Sequence, residues 1–258
     1  MRLAAERANC RVYGDRNRFM RGSHEVEGTP MAHHVNSVFK GVLGSPAYPC
    51  VGAKSAINRG NYCLGIYAEM AERETTRNLC ADFLAVVAEE KEAKRGALDR
   101  RTFAAAFVHP TCRSVEEFHD RLWEQLRLMS EVDRTAFGWA SDVSNDVQDP
   151  NFAFSFGGEA YFVIGMSPVS DRIARRFPWP LLVFNAHATL RALREAKMFE
   201  RMKHVIRTRD SELEGEPNRH LFDHGVVSEA SQYSGVTHKI EPSLFRFPPN
   251  TENVRAVN

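Results

Sequence analysis

The chain has 258 residues, of which 43% are hydrophobic and 26% charged. That composition excludes a disordered chain, a collagen-like repeat and a disulfide scaffold, and predicts one globular domain with a real core. Lys and Arg total 34 against 33 Asp and Glu, a net charge of +1, which argues against nucleic acid as a partner, and no apolar run approaches the roughly 20 residues of a membrane helix.

Residues 1–30 are polar, Arg-rich and without apolar period, so they read as a flexible N-terminal arm, and residues 31–258 read as the domain. Met31 is a second candidate start. Arg2, Glu6, Arg7, Arg11 and Asp15 break any leader-like apolar stretch. A strand is predicted over 61–67, then a helix from about Glu74 to Arg95. Residues 102–108 form a second strand. Ser114, with Glu117 three residues on, has the capping-box pattern, and Phe118, Leu122, Leu126 and Met129 mark one face of the helix that follows. Phe152, Phe154 and Phe156 alternate with small residues. Gly157-Gly158 then separates them from Tyr161–Ile164, a hairpin signal, because the tight turn needs positive φ. Residues 181–185 follow Pro178 and Pro180 as a short strand. A last helix spans about 188–209, with Leu190, Leu193, Met202 and Ile206 inward and many Arg and Lys outward. Strands and helices do not alternate strictly. The fold class expected is therefore α+β: a single domain with a mixed, mainly antiparallel sheet and about three main helices.

The five cysteines, Cys10, Cys50, Cys63, Cys80 and Cys112, are odd in number and form no CxxC pair. This argues against a zinc ribbon or a secreted disulfide frame and for a reducing, cytoplasmic setting. Phosphate-loop, HExxH, GxSxG and GxGxxG patterns do not occur.

Three segments can carry chemistry. In Tyr48-Pro-Cys-Val-Gly-Ala-Lys54, Cys50 sits at a turn with Gly52 two residues later. Cys-x-Gly also surrounds the axial cysteine of thiolate-haem monooxygenases, where glycine admits the porphyrin and backbone N–H groups tune the sulfur. A buried small hydrophobe in a turn would look the same. In Ser170–Phe177, Arg172, Arg175 and Arg176 match carboxylates such as haem propionates, or form a solvated basic turn. His187 follows at a strand-to-helix corner, suited to ligating iron or to capping the helix. The stretch from Asn218 to Gly235 carries Glu229, Gln232 and Tyr233, and reads either as a surface loop or as a segment that closes over a site and offers a carboxylate.

In this order the segments resemble the YqcI/YcgG family. The resemblance rests on Pro49–Ala56, Phe152–Gly165, Ala174–Phe177, Leu182–His187 and Ser228–Gly235, over roughly residues 45–237. It departs from the usual pattern at Gly165-Met-Ser-Pro168 and at Asn218-Arg-His-Leu221. Better-known relatives are haem-dependent N-hydroxylases of guanitoxin and D-cycloserine biosynthesis. The resemblance implies a b-type haem, O₂, an external electron donor and a small guanidino substrate such as L-arginine. It leaves a non-catalytic haem sensor or carrier as the alternative. Cys50 or His187 would be the axial metal ligand, with Cys50 preferred because thiolate favours O–O cleavage. Arg175, Arg176, Arg194 and Lys54 are candidate cations for haem propionates or the substrate carboxylate. Glu159 and Glu229 are the candidate carboxylates for the guanidinium.

Overall fold

The computed structural model describes residues 9–218, 222, 225–235 and 247. Its frame is one eight-stranded sheet: β1 (Cys10–Tyr13), β2 (Arg18–Arg21), β3 (His24–Val26), β4 (Tyr62–Tyr67), β5 (Thr102–Phe107), β6 (Phe154–Phe156), β7 (Glu159–Met166) and β8 (Leu181–Ala186). The spatial order is β3-β2-β1-β4-β5-β8-β7-β6, and only the β4–β5 pair is parallel. Among the described residues there are seven α-helices: α1 (Pro30–Leu43), α2 (Val51–Arg59), α3 (Arg73–Glu92), α4 (Val115–Asp133), α5 (His187–Glu195), α6 (Phe199–Glu214) and α7 (Ala230–Tyr233). The α+β class and the mainly antiparallel sheet are as expected; the helices outnumber the three read from periodicity.

The segment read as a flexible arm is, from Cys10 onward, part of the sheet. β1 pairs antiparallel with β4, with Val12 opposite Leu64. Arg11 is buried and ion-paired with Asp82 on α3, which also accepts from the Tyr67 hydroxyl at 3.0 Å. Arg11, one of the arginines that make this stretch look unfolded, has its partner 71 residues away, which periodicity cannot see. A chain beginning at Met31 would lack these three strands and bare the edge of β4. Residues 1–8 lie outside the described part.

Strand alternation divides the sheet into two faces. Tyr13, Cys63, Phe103, Tyr161, Val163 and Phe184 point to the side covered by α3 and α4. Val12, Leu64, Ala104, Ile164 and Val183 point to the other side, where α1 and α2 pack. The first face holds the aromatic core. Phe83 lies flat against Phe103 (centroids 4.3 Å apart, planes at 8°) and Phe156 (4.8 Å, 11°). The predicted hairpin forms, with φ of +60° at Gly157 and +73° at Gly158.

The helix ends follow local chemistry. Thr29 caps α1, accepting from Ala32 N–H at 3.1 Å, and Pro30 opens it with no wasted donor. Ser114 caps α4 through Glu117 N–H at 3.1 Å; the Glu117 carboxylate returns to Arg113 N–H rather than to Ser114. The single helix expected over 188–209 is broken. Lys197 adopts φ +56°, Lys197 N–H bonds Arg194 O, and Met198 N–H bonds Leu193 O. This is the left-handed stop of a Schellman motif, taken here by lysine instead of glycine.

Candidate functional site

The second face of the sheet is not filled. A cavity of about 680 Å³ lies over β7 and β8, within the size range of small-molecule and cofactor sites. Its floor includes Phe162, Ile164 and Met166 of β7 with Val183 and Asn185 of β8. Phe39 and Leu43 of α1 and Ala53 and Ile57 of α2 form a wall, and α5 and α6 form the roof. The apolar stripe Leu190, Leu193, Met202 and Ile206 does turn inward, but onto this space rather than into a packed core. Only His187 on α5 and Asp210 on α6 are buried. A roof with its apolar stripe left open is the mark of a site for a large, mostly apolar ligand.

Cys50 lines this cavity as the N-cap of α2, its sulfur accepting from Ala53 N–H at 3.4 Å. Burial raises the thiol pKa, while the N–H groups of Ala53 and Gly52 and the charges of Lys54 and Arg175 oppose that rise. Gly52 faces the same space: a Cβ there would meet only the Cys50 sulfur at 3.7 Å and the Met202 sulfur at 3.9 Å. All five cysteines are free.

His187, the first residue of α5, and Glu229, just before α7, line the cavity together and are both buried. His187 Nε2 lies 3.1 Å and 3.3 Å from the two Glu229 oxygens. The Tyr233 hydroxyl donates to Glu229 Oε1 at 2.6 Å and accepts from Phe154 N–H at 3.0 Å. Glu229 is thus a carboxylate fixed from two sides at the cavity wall, and the Tyr233 link ties it to the sheet. Its burial pushes the Tyr233 phenol well above the usual range.

The other expected residues are placed elsewhere. Glu159 is not a cavity residue; it pairs with Arg100 at 2.5 Å and Lys91 at 3.6 Å. Arg175 donates to the carbonyls of Gly165, Gln232 and Tyr233 and so clamps α7 to β7. Burial of its guanidinium lowers its pKa. Arg176 donates to the carbonyls of Ser170 and Asp171, and Lys54 to that of Pro46. Arg172 is buried against Asp210 at 2.7 Å. These cations hold backbone or a buried carboxylate rather than a ligand. The basic residues that line the cavity are instead Arg100, Arg101, Arg194, Lys203 and Arg207. Arg194 was singled out in the sequence. Arg100 and Arg101 stand just before β5, and no local pattern marks them.

Of the two departures from the family pattern, Met166 lies in the cavity floor, where the Tyr48 hydroxyl approaches its sulfur at 3.9 Å. Residues 219–221 of the other lie outside the described residues. Among the described residues no group of three or more His, Cys, Asp or Glu side chains is placed to hold a metal ion, and no helix is long and apolar enough to cross a membrane.

Comparison with known proteins agrees with the motifs. The chain is 24% identical over 175 residues to "Uncharacterized protein YcgG" of Bacillus subtilis (strain 168), covering 65% of this chain and 67% of that protein. It is 23% identical over 164 residues to "Uncharacterized protein YqcI" of the same organism, covering 63% and 64%. The aligned part thus spans about two thirds of each relative. No solved structure matches significantly. The model of the YqcI/YcgG family matches residues 39–245, from the middle of α1 past the cavity-lining tail, and the chain belongs to that family.

Proposed function

We propose that the protein is a haem-dependent monooxygenase that N-hydroxylates the guanidine group of L-arginine or a related guanidino compound. The observation that carries this reading is that Cys50, His187 and Glu229 line one largely apolar cavity beneath an unfilled roof. The residues fit a b-type haem. The walls are mostly apolar, Gly52 leaves room beside the sulfur, and arginines and lysines line the edges for propionates. When bound, the haem would supply O₂ binding and activation, with electrons from an external donor.

Cys50 is the favoured ligand. Its sulfur stands at the start of a helix, where backbone N–H groups stabilise thiolate. His187 Nε2 is already engaged by Glu229, which leaves Nδ1 as the ring nitrogen for iron, whereas the Cys50 sulfur faces the cavity beside Gly52. His187 and Tyr233 instead hold Glu229 in place to receive a guanidinium. A fork-shaped cation against a fixed carboxylate would be oriented as well as bound. Arg100, held on Glu159, is the nearest match for a substrate carboxylate among the lining cations, because its partner fixes its direction.

The test is the absorption spectrum of purified protein, oxidised, reduced and with carbon monoxide, followed by incubation with arginine, O₂ and reductant. The expected results are a red-shifted, thiolate-type ferrous–CO band, its loss in Cys50→Ala, and a product heavier by one oxygen atom. Haem without turnover would turn the reading toward a sensor or carrier. Haem lost in His187→Ala and kept in Cys50→Ala would move the ligand. A colourless protein from haem-supplied cells would remove the reading altogether.

A further inference from the structure

We infer that Gln232 is a specificity-determining residue: beside Glu229, its side-chain amide accepts an N–H of the bound group and so selects a guanidinium over a simple ammonium. This deepens the proposed reading and rests on it for the role of Glu229. Both residues line the cavity and both are buried, Glu229 at 4% exposed and Gln232 at 7%. Glu229 has helical φ and ψ, and Gln232 N–H donates to Glu229 O at 2.9 Å. A bond from residue i+3 back to i winds the chain tightly and sets those two side chains one above the other. The carboxylate and the amide thus share one face of the turn, and that face is part of the cavity wall.

The rest of the segment sets this amide apart. The Ser228 hydroxyl donates to Val147 O at 2.6 Å, Ser231 to Ser228 O at 2.9 Å and Tyr233 to Glu229 at 2.6 Å. Ser234 Oγ lies 2.8 Å from His119 Nδ1. The Gln232 backbone is fixed as well, its carbonyl accepting from Arg175 at 3.1 Å. Its side-chain amide, by contrast, makes no hydrogen bond among the described residues. A buried amide without a partner is costly, and native proteins keep few of them. Here the group faces a cavity, so what enters the cavity can complete its bonding.

The chemistry of the pair names the ligand class. A carboxylate takes two parallel N–H groups along one edge of a guanidinium. The guanidinium is planar, with five donors in a fixed fork, so further N–H groups point away from that edge. An amide oxygen stacked beside the carboxylate takes one of them. An alkyl ammonium is a compact charge whose three donors are not fixed in a plane, and it gains less from the second acceptor. A ureido group is neutral and presents an oxygen where the guanidinium has N–H.

The test is isothermal titration calorimetry on the full chain as purified, with L-arginine, agmatine, L-lysine and L-citrulline as probes. The variants are Gln232→Leu and Gln232→Glu, and Gln232→Met replaces the first if circular dichroism shows it to be misfolded. In the wild type, arginine or agmatine should bind more tightly than lysine or citrulline. Gln232→Leu should weaken that guanidino probe about tenfold and lysine less than about twofold. Gln232→Glu keeps an acceptor and should keep the preference. Equal guanidino binding by wild type and Gln232→Leu, equal losses for the guanidino probe and lysine, loss of the preference in Gln232→Glu, or a wild type that binds neither guanidino probe would overturn the inference. A colourless protein that prefers arginine through Gln232 fails the haem reading and keeps this one. A haem-loaded protein that adds oxygen to arginine and is indifferent to Gln232→Leu does the reverse.

Discussion

The two faces of the sheet are built from the same strands and come to opposite ends. On one, α3 and α4 press an aromatic layer into contact, and Phe83, Phe103, Phe156 and Phe184 leave no room. On the other, α5 and α6 stand off the sheet and their apolar residues remain half-buried. Strand alternation alone sends every second side chain each way, so the difference lies in the helices. α4 buries Phe118, Leu122, Leu126 and Met129 completely, whereas the corresponding stripe of α5 and α6 meets open space. One face holds the fold together; the other is kept available.

The comparison breaks first, and most, at Phe83. Phe83→Ala removes the ring at the centre of the stack and should cost about 3–5 kcal/mol in denaturant unfolding. A loss below about 1 kcal/mol would mean that the packed face is not what stabilises the domain.

Next in size is the effect of charge on the packed face. Asp133, at the end of α4, is 5% exposed and accepts from Gly157 N–H at 2.9 Å. Burial pushes its carboxyl from 3.8 up to about 6. Between those values the native state binds a proton that the unfolded chain has released. Stability from this group is therefore complete below about 3.8 and falls as pH rises toward about 6. The full change is about 2–3 kcal/mol. Asp133→Asn keeps an acceptor for Gly157 and cannot titrate, so it should flatten that part of the curve. Equal slopes for the two proteins in urea titrations from pH 4 to 6 would refute the assignment.

The smallest effect should fall on the open face. Ile206→Ala deletes a side chain that already faces a void, so the ligand-free protein should lose about 1 kcal/mol or less. The same variant should weaken whatever binds beneath the roof. Measuring both quantities on one preparation sharpens the contrast, because a core residue of that size would show the reverse order.

Much of the fold was legible. β4, β5, the Gly157-Gly158 hairpin and β8 stand where alternation and turn residues place them, because each is set by neighbours in sequence. β1–β3 were not, since Arg11 needs Asp82 to be buried. α1 and α2 were hidden by mixed composition; α2 buries no residue fully. The break at Lys197 was hidden because lysine rarely takes the left-handed turn. At the site, the motifs named Cys50, His187 and Glu229, and these line one cavity, His187 and Glu229 in contact. Arg175, Arg176 and Glu159 were also read as ligand contacts, but their partners are carbonyls and cations from other strands and loops, which residue type does not reveal.

The short α7 touches both sides of the molecule. Tyr233 stacks on Trp123 (5.7 Å between centroids, 18° between planes) in the sealed aromatic layer, while Glu229, one turn earlier, stands in the wall of the open chamber. A single turn of backbone thus works as an axle through the sheet's rim. A ligand that displaces the carboxylate is expected to shift Tyr233 against the Trp123 indole, and tryptophan fluorescence would register its entry into the chamber.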